Sequence, residues 1–230
     1  MTQAPVYLIA GAGPGTGPRS FRFHDEMLEK IGNAKPLFAY VGAASGDARW
    51  FERIIKTMVF GARAKCAFVR LTDKTLRTSE AKSMLGDADV IFVSGGDVEA
   101  GMRVIDERGL APFFRELHRA GKAFEAVSAG SIMLGEHWVR FADDDDEIGE
   151  RFECLGIVPM SFDAHDEKDG WSELHALAKH MPSESGKWVC GLTSKCAAMW
   201  DGKKLHALGG TLARVAWGTS RRLSDLAPDE

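Results

Sequence analysis

One stretch of the sequence decides the fold: Ala123-Phe124-Glu125-Ala126-Val127-Ser128-Ala129-Gly130-Ser131-Ile132-Met133-Leu134. It begins as a short apolar run typical of a buried strand, breaks at a Ser-Ala-Gly-Ser step, and continues as a helix. A serine at such a turn holds its hydroxyl above the edge of the sheet, and the first N–H groups of the helix point to the same place. This arrangement suits an acyl-transfer nucleophile, so Ser128 is a candidate for that role. From these residues alone, the alternative is that Ser128 only caps the following helix.

The N-terminal half of the chain repeats this alternation of apolar strands and helices. Strands are predicted at residues 5–11, 37–41, 65–71 and 89–94, and helices at residues 19–32, 47–61, 79–85, 98–107 and 111–120. Continuously apolar strands that alternate with helices predict a mainly parallel sheet covered on both faces, which is a three-layer α/β/α domain. In such sheets ligands bind beyond the carboxyl ends of the strands, where the Gly95-Gly96 turn and Ser128 are expected to lie.

The C-terminal half is less regular. A helix is predicted over residues 171–181, and several short strands over residues 187–218. The run Asp143-Asp144-Asp145-Asp146-Glu147 is typical of a solvated loop. The polar tail, residues 221–230, is expected to be frayed. We expect residues 1–230 to form a single domain, since we find no repeat or interdomain linker.

Composition and charge exclude several classes of protein. The chain has 230 residues and a net charge of −4, which argues against general affinity for nucleic acid or an anionic membrane. No apolar run reaches the roughly 18 residues of a membrane span. The start has no signal-peptide pattern, so we expect a cytoplasmic protein. The four cysteines lie far apart without a Cys-x-x-Cys pair, which favours reduced core residues over disulfides or a zinc site.

Two further motifs suggest ligands but fit them poorly. The glycine-rich segment of residues 11–18 resembles a dinucleotide-binding loop, but Thr16 occupies the sixth position of the fingerprint and two prolines remove backbone donors. The acidic run and residues 163–169 offer carboxylates for a divalent metal ion. They lack calcium-loop spacing and a His-x-x-x-His pair, so solvated loops are favoured. We therefore expect no cofactor and no metal.

His165 is the histidine best placed to serve Ser128. A nucleophilic serine needs a base, and the base needs a carboxylate that fixes its tautomer. Among the seven histidines, His165 comes just after an apolar run, in a loop that faces the same edge of the sheet if that run is a strand. If His165 is considered alone, the alternative interpretation is that it is a surface loop residue.

Four segments together resemble the serine peptidases of the dipeptidase E and cyanophycinase type (peptidase family S51-like). Ile91-Phe92-Val93-Ser94-Gly95-Gly96-Asp97 is similar to that family's apolar strand ending in Gly-Gly-Asn. The others are Glu107-Arg108-Gly109-Leu110-Ala111-Pro112, Val127-Ser128-Ala129-Gly130-Ser131 and Phe162-Asp163-Ala164-His165. Their order along nearly the whole chain makes the resemblance more specific than any single piece. It implies a flavodoxin-like (class I glutamine amidotransferase-like) fold, with short C-terminal strands in this chain.

The resemblance also implies roles for individual residues. Ser128 would be the nucleophile on a nucleophile elbow, and His165 the general base. Asp143 would orient His165, with Asp144 and Asp145 as alternatives because the aspartate run makes the alignment ambiguous. The N–H groups of Gly96 (or Gly95) and Ala129 would form the oxyanion hole.

Departures from the family pattern bear on the substrate. Ala126 and Ser131 stand where the family usually has glycine and alanine, and Asp97 replaces its asparagine. A carboxylate at Asp97 would repel an acidic substrate and pair with an ammonium group. No arginine matches the one with which aspartyl dipeptidases hold an N-terminal aspartate.

The sequence thus predicts a serine peptidase that acts on small peptides and is not specific for Asp-X dipeptides. Two alternatives remain open: a catalytically silent relative that binds a small ligand at the same edge, and an amidase or esterase with a non-peptide substrate. The expected partner is a small peptide or amide, with neither nucleic acid nor membrane. The sequence leaves open whether the protein is a monomer or a homodimer.

Overall fold

A computed structural model describes residues 4–11, 22–33, 35–57, 64–142, 145–184, 186–219 and 221–229. Its strands are β1 (Val6–Ile9), β2 (Leu37–Val41), β3 (Lys65–Val69), β4 (Val90–Val93), β5 (Ala123–Val127), β6 (His137–Ala142), β7 (Asp145–Glu153), β8 (Phe162–Ala164), β9 (Trp188–Leu192), β10 (Ala197–Trp200), β11 (Leu205–Leu208) and β12 (Ala213–Ala216). Its α-helices are α1 (Arg22–Ile31), α2 (Arg49–Ile55), α3 (Thr78–Asp87), α4 (Val98–Glu107), α5 (Ala111–Arg119), α6 (Ala129–Met133) and α7 (Ser172–His180). Within these ranges, every helix is too short or too polar to cross a bilayer.

The main sheet has seven strands in the order β11-β10-β1-β5-β4-β2-β3. Strands β1, β5, β4, β2 and β3 are parallel, and β10 and β11 join antiparallel beside β1. Strand β5 therefore lies between β1 and β4, with Ala126 opposite Leu8 on one side and Val93 on the other. The β5–α6 turn consequently emerges at the sheet edge between the ends of two neighbouring parallel strands, where a crevice is expected.

Both faces of this sheet are buried. Along β1, Val6 and Leu8 belong to one apolar cluster, whereas Tyr7 and Ile9 belong to another that includes Phe23 of α1. Because successive side chains of a strand point to opposite faces, strands covered on both sides must be apolar throughout. The predicted three-layer α/β/α class with a mainly parallel sheet is confirmed.

A smaller sheet and a hairpin complete the C-terminal half. Strands β12, β9 and β8 form the second sheet, in which β8 runs parallel to β9. Strands β6 and β7 pair antiparallel, from His137 opposite Glu153 to Ala142 opposite Asp145. The prediction of a solvated loop is therefore wrong for Asp145, which begins β7, because cross-strand pairing extends into the acidic run. Asp143 and Asp144 lie outside the described residues.

The C-terminal tail is held along the small strands rather than frayed as predicted. Isolated bridges join Arg222 to Val215 and Leu226 to Leu212. Leu226 also packs against the larger apolar cluster, and the Asp229 carboxylate pairs with His206 of β11. The composition of the tail is polar, but its few apolar and charged side chains find partners on neighbouring strands.

Candidate active site

Ser128 occupies the sharp turn between β5 and α6. Its backbone has φ 53° and ψ −124°, a conformation that a residue with a side chain adopts only under strain. The turn is held because the Ser128 N–H donates to the Ile9 carbonyl over 2.9 Å. The Ser128 hydroxyl makes no capping hydrogen bond to α6. The side chain is therefore available for contacts across the sheet edge.

His165 meets Ser128 across that edge. The two side chains are 37 positions apart in sequence, and Ser128 Oγ lies 2.8 Å from His165 Nε2. His165 directly follows β8, has a positive φ of 54°, and donates its N–H to the Leu192 carbonyl at the end of β9. Gly11 borders the pair, because a Cβ atom built there would lie 3.7 Å from Ser128 Cβ and 3.8 Å from His165 Cδ2. A hydroxyl and an imidazole at this distance can exchange a proton.

The glycine turn after β4 lies against Ser128. A Cβ atom at Gly95 would approach Ser128 Cβ to 3.1 Å, a tight contact that glycine avoids. Gly96 has φ +144°, and a Cβ atom there would overlap the Ala44 carbonyl oxygen at 2.0 Å. Ala129 begins α6, so its N–H has no partner within the helix. Gly95 thus lies against Ser128, and Gly96 and Ala129 line the same cavity as Ser128.

Asp97 begins α4 next to this turn. One of its carboxylate oxygens accepts the Ala100 N–H over 2.7 Å, which is an N-cap hydrogen bond. Asp97 also lines the cavity in front of Ser128. The sequence predicted a role in substrate binding for Asp97; the structure gives it a capping role and leaves its side chain at the cavity.

The predicted triad acid, Asp143, lies outside the described residues, as does Asp144. Glu167, which the sequence analysis considered only among the carboxylates of residues 163–169, lies just after His165 in a short 3₁₀ helix. Its Oε1 accepts the Ser194 N–H over 3.1 Å, whereas its Oε2 is buried without a hydrogen-bond partner. Burial disfavours the charged form of Glu167, but hydrogen bonds from Ser194 and the nearby His165 imidazole outweigh it and hold its pKa below the usual value. Its position two residues after His165 was the available signal.

A cavity of about 380 Å³ opens in front of Ser128 and His165. Ile132 and Trp138 supply apolar wall, and the charged residues of the lining are Asp97, Glu99, Arg140, Asp163 and Glu173. Asp163 was considered in the sequence analysis only among the carboxylates of residues 163–169, and neither Asp163 nor Glu173 was assigned to this cavity. The signal for Asp163 was a single carboxylate inside an otherwise apolar strand, Phe162-Asp163-Ala164.

Two other tryptophans that could have lined the cavity have structural roles. Trp171 packs so closely on Gly191 that a Cβ atom there would lie 2.5 Å from its ring. Trp188 lies under the Arg214 guanidinium at 5.2 Å. In the part of the chain that the structure describes, no group of three or more His, Cys, Asp or Glu side chains is arranged to hold a metal ion.

Comparison with known proteins gives concordant results. The model of peptidase family S51 matches residues 6–208. The uncharacterized peptidase YgaJ of Bacillus subtilis (strain 168) is 26% identical over 212 residues, which covers 90% of this chain and 84% of that protein.

Two solved structures share the fold. A peptidase from an acI-B1 actinobacterium superposes with a TM-score of 0.72 at 18% identity, covering 98% of this chain and 97% of the other. A candidate peptidase E protein from Listeria monocytogenes EGD-e gives 0.66 at 14% identity, covering 96% of this chain and 100% of the other. At these identities the likeness concerns the flavodoxin-like α/β fold alone.

Proposed function

Because the chain belongs to peptidase family S51 and is a serine peptidase, we propose that it hydrolyses small peptides with Ser128 as nucleophile and His165 as general base. The observation that carries this proposal is the 2.8 Å separation of Ser128 Oγ and His165 Nε2 at the carboxyl edge of the sheet. The strained backbone of Ser128, typical of a nucleophile elbow, supports it.

The chemistry follows from the positions of these groups. His165 Nε2 takes the hydroxyl proton while Ser128 Oγ bonds to the carbonyl carbon of the scissile amide. The N–H groups of Ala129 and Gly96 (or Gly95) are proposed to bind the oxyanion that forms. The protonated imidazole then gives its proton to the leaving amine as the C–N bond breaks. Water hydrolyses the acyl-enzyme, again with His165 as the base.

We retain Asp143 as the proposed acid that orients His165, on the resemblance to the family alone. The surroundings of Glu167 favour it as a second carboxylate that acts on His165, since its Oε2 is buried and unpartnered. Asp143 is thus proposed from the family pattern, and Glu167 from its contacts in the structure.

We further propose that Asp-X dipeptides are not the preferred substrates. The carboxylate of Asp97 lines the cavity, and Asp163 and Glu173 line it as well. The Asp97 carboxylate would repel an acidic side chain of the substrate at this cavity.

The test is hydrolysis of a panel of dipeptides and tripeptides, read by mass spectrometry. The panel contains Asp-X, Lys-X and neutral N-termini, and compares the wild type with Ser128→Ala and Ser131→Ala. We expect cleavage that disappears in Ser128→Ala, and slower cleavage of Asp-X than of neutral or Lys-X peptides. Ser131→Ala is the matched control: its buried hydroxyl donates to the Ile9 carbonyl, away from the cavity, and it should retain activity.

Cleavage that persists in Ser128→Ala would disprove the serine mechanism. Preferential cleavage of Asp-X peptides would disprove the proposed specificity. If neither protein cleaves any peptide, assays with amides and esters distinguish a non-peptide hydrolase from a silent relative that only binds a ligand.

A further inference from the structure

The charges that face the cavity do not balance. Of its lining, Arg140 is the cation, and its guanidinium is already engaged by Glu99 at 2.9 Å and by Glu150. That leaves Asp97, Asp163 and Glu173 on the lining without a cationic partner among the described residues. Asp97 is exposed, and one of its carboxylate oxygens accepts the hydrogen bond that caps α4. Asp163 and Glu173 are therefore the carboxylates of the lining that most lack a positively charged or hydrogen-bonding partner.

Asp163 is the unusual member of this set. Its side chain lies in the middle of β8 and is 1% exposed. One oxygen, Oδ1, accepts the Ala164 N–H over 2.6 Å, but the other, Oδ2, is buried without a hydrogen-bond partner. A buried carboxylate without a partner is costly, and proteins keep such groups paired, protonated or bound to a ligand.

Glu173 adds a second carboxylate to the same wall from a different element. It lies in the first turn of α7 and is half-buried. Its neighbour Asp166 accepts the Glu173 N–H over 3.3 Å and the Ser172 hydroxyl over 3.4 Å, so Asp166 is occupied at the start of the helix. Glu173 has no such bond from its own carboxylate in the described structure.

The electrostatics of both groups point the same way. Burial raises the pKa of Asp163 to about 8; the charges of Glu173 and Asp166 add to the effect, and the backbone N–H groups of Ala164 and Leu174 oppose it more weakly. Burial also raises the pKa of Glu173, with Asp166 and Asp169 adding to it. Both carboxylates are thus disfavoured as anions, and a positive charge placed beside them would reverse this.

We propose that Asp163 and Glu173 form a subsite that binds a positively charged group of the substrate. This inference rests on the proposed function, because the cavity that they line is the one in front of Ser128. The chemical class is an ammonium or guanidinium, which can donate to Asp163 Oδ2 in a charge-assisted hydrogen bond. Trp138 and Ile132 provide apolar wall for the aliphatic stem of a basic side chain.

Two groups of a peptide can supply this charge: a lysine or arginine side chain, and the α-ammonium of the N-terminal residue. Three ligands separate them, namely Lys-Ala, norleucyl-Ala, which lacks the side-chain ammonium, and N-acetyl-Lys-Ala, which lacks the α-ammonium. Binding is measured by titration calorimetry on Ser128→Ala protein, so that no ligand is consumed.

We expect Lys-Ala to bind at least tenfold more tightly than one of the two other ligands. A loss with norleucine assigns the subsite to the side chain, and a loss with acetylation assigns it to the α-ammonium. Adding Asp163→Asn should remove that preference, with at least a tenfold loss for Lys-Ala and less than a twofold change for the ligand that lacks the recognised charge. Equal binding of all three ligands, or a preference that survives Asp163→Asn, would overturn the proposal.

Two further variants keep the test sharp. Asp163→Asn retains Oδ1 for the Ala164 N–H, and Glu173→Gln serves as a second variant should the first fail to fold, which circular dichroism detects. Asp169→Asn is the matched control, since it removes one nearby negative charge that is exposed and absent from the cavity lining. It should leave binding unchanged. Because binding is measured without hydrolysis, failure of the subsite and failure of the peptidase activity are separate results.

Discussion

At the scale of single residues, the position of Ser128 depends on a neighbouring glycine that has no side chain. The Ser128 turn fits because Gly95 presents no Cβ atom at a point only 3.1 Å from Ser128 Cβ. His165, which contacts the hydroxyl, likewise has a positive backbone φ of 54° just after β8. Strain of this kind persists where surrounding hydrogen bonds enforce it, here those to Ile9 and Leu192.

The carboxylate that orients His165 can be identified by comparing two variants. We expect Asp143→Asn to lower kcat by about 10³- to 10⁴-fold, the effect of losing the acid of a triad. Glu167→Gln keeps an acceptor for the Ser194 N–H but loses the charge beside His165, so we expect a fall in kcat of about tenfold, or about 1.4 kcal/mol. The measurement is steady-state kinetics on the dipeptide or tripeptide that the wild type cleaves fastest. We expect KM to be unchanged in both variants.

The reverse ranking would transfer the orienting role to Glu167. Equal activity of Glu167→Gln and wild type would show that its buried oxygen has no part in the reaction. Glu184→Gln, on an exposed loop remote from the cavity lining, controls for the removal of a glutamate charge as such.

At the scale of elements, the sequence predicted most accurately the strands that are buried on both faces of the sheet and the helices that pack on them. The five parallel strands and helices α4 and α5 were placed correctly, because unbroken apolar runs and helical periodicity report burial directly. Helix α3 begins at Thr78, one residue before the predicted start, and Glu80 accepts both the Arg77 N–H over 3.0 Å and the Arg77 guanidinium over 2.6 Å at this end. The hairpin and the tail were missed because their stability comes from pairing with distant strands, which local composition does not report.

The same reason explains what was found of the site. Ser128 and His165 carried recognisable local signals, and the family resemblance that they supported is confirmed by the match over residues 6–208. The roles proposed for Asp163, Glu173 and Glu167 depend on which side chains surround them in space. Burial and missing partners are properties of the folded chain, so the sequence signals at Asp163 and Glu167 do not by themselves assign a role.

The β6–β7 hairpin illustrates an element held by side chains beside the site. Arg140 on β6 joins Glu99 of α4 to Glu150 of β7, and its guanidinium lies 5.8 Å from the Phe152 ring. We expect Arg140→Met to speed amide hydrogen exchange along the hairpin and to raise KM severalfold. The melting temperature should change little, because these charges are exposed and such pairs contribute at most about 1 kcal/mol.

Exchange measured by mass spectrometry over residues 137–142 and 145–153 tests this. Arg77→Met, which removes an exposed pair with Glu80 on α3, is the control and should leave hairpin exchange and KM unchanged. Unchanged exchange in Arg140→Met would mean that the β6–β7 pairing holds the hairpin without the contacts of Arg140.

At the scale of the whole molecule, the proposed subsite should make stability depend on pH. The pKa of Asp163 is raised by burial to about 8, with Glu173, Asp166 and the Cys190 thiol as the titratable groups around it. In the unfolded chain an aspartate titrates near 3.9, so between about pH 4 and pH 8 the folded state binds the extra proton. Stability therefore falls as pH rises through this window. Each unit of difference in pKa corresponds to about 1.4 kcal/mol, so the loss amounts to several kcal/mol.

Removing the titrating group should flatten this dependence. We expect urea unfolding at pH 5.0, 6.5 and 8.0 to give a falling free energy of unfolding for the wild type and a shallower slope for Asp163→Asn, which becomes the more stable protein at pH 8.0. Asp169→Asn should follow the wild type, since its carboxylate is exposed. Parallel curves for wild type and Asp163→Asn would contradict the raised pKa. A cationic dipeptide bound at the subsite should restore stability chiefly at high pH. There Asp163 is ionised, and the bound cation provides the positively charged partner that its carboxylate otherwise lacks.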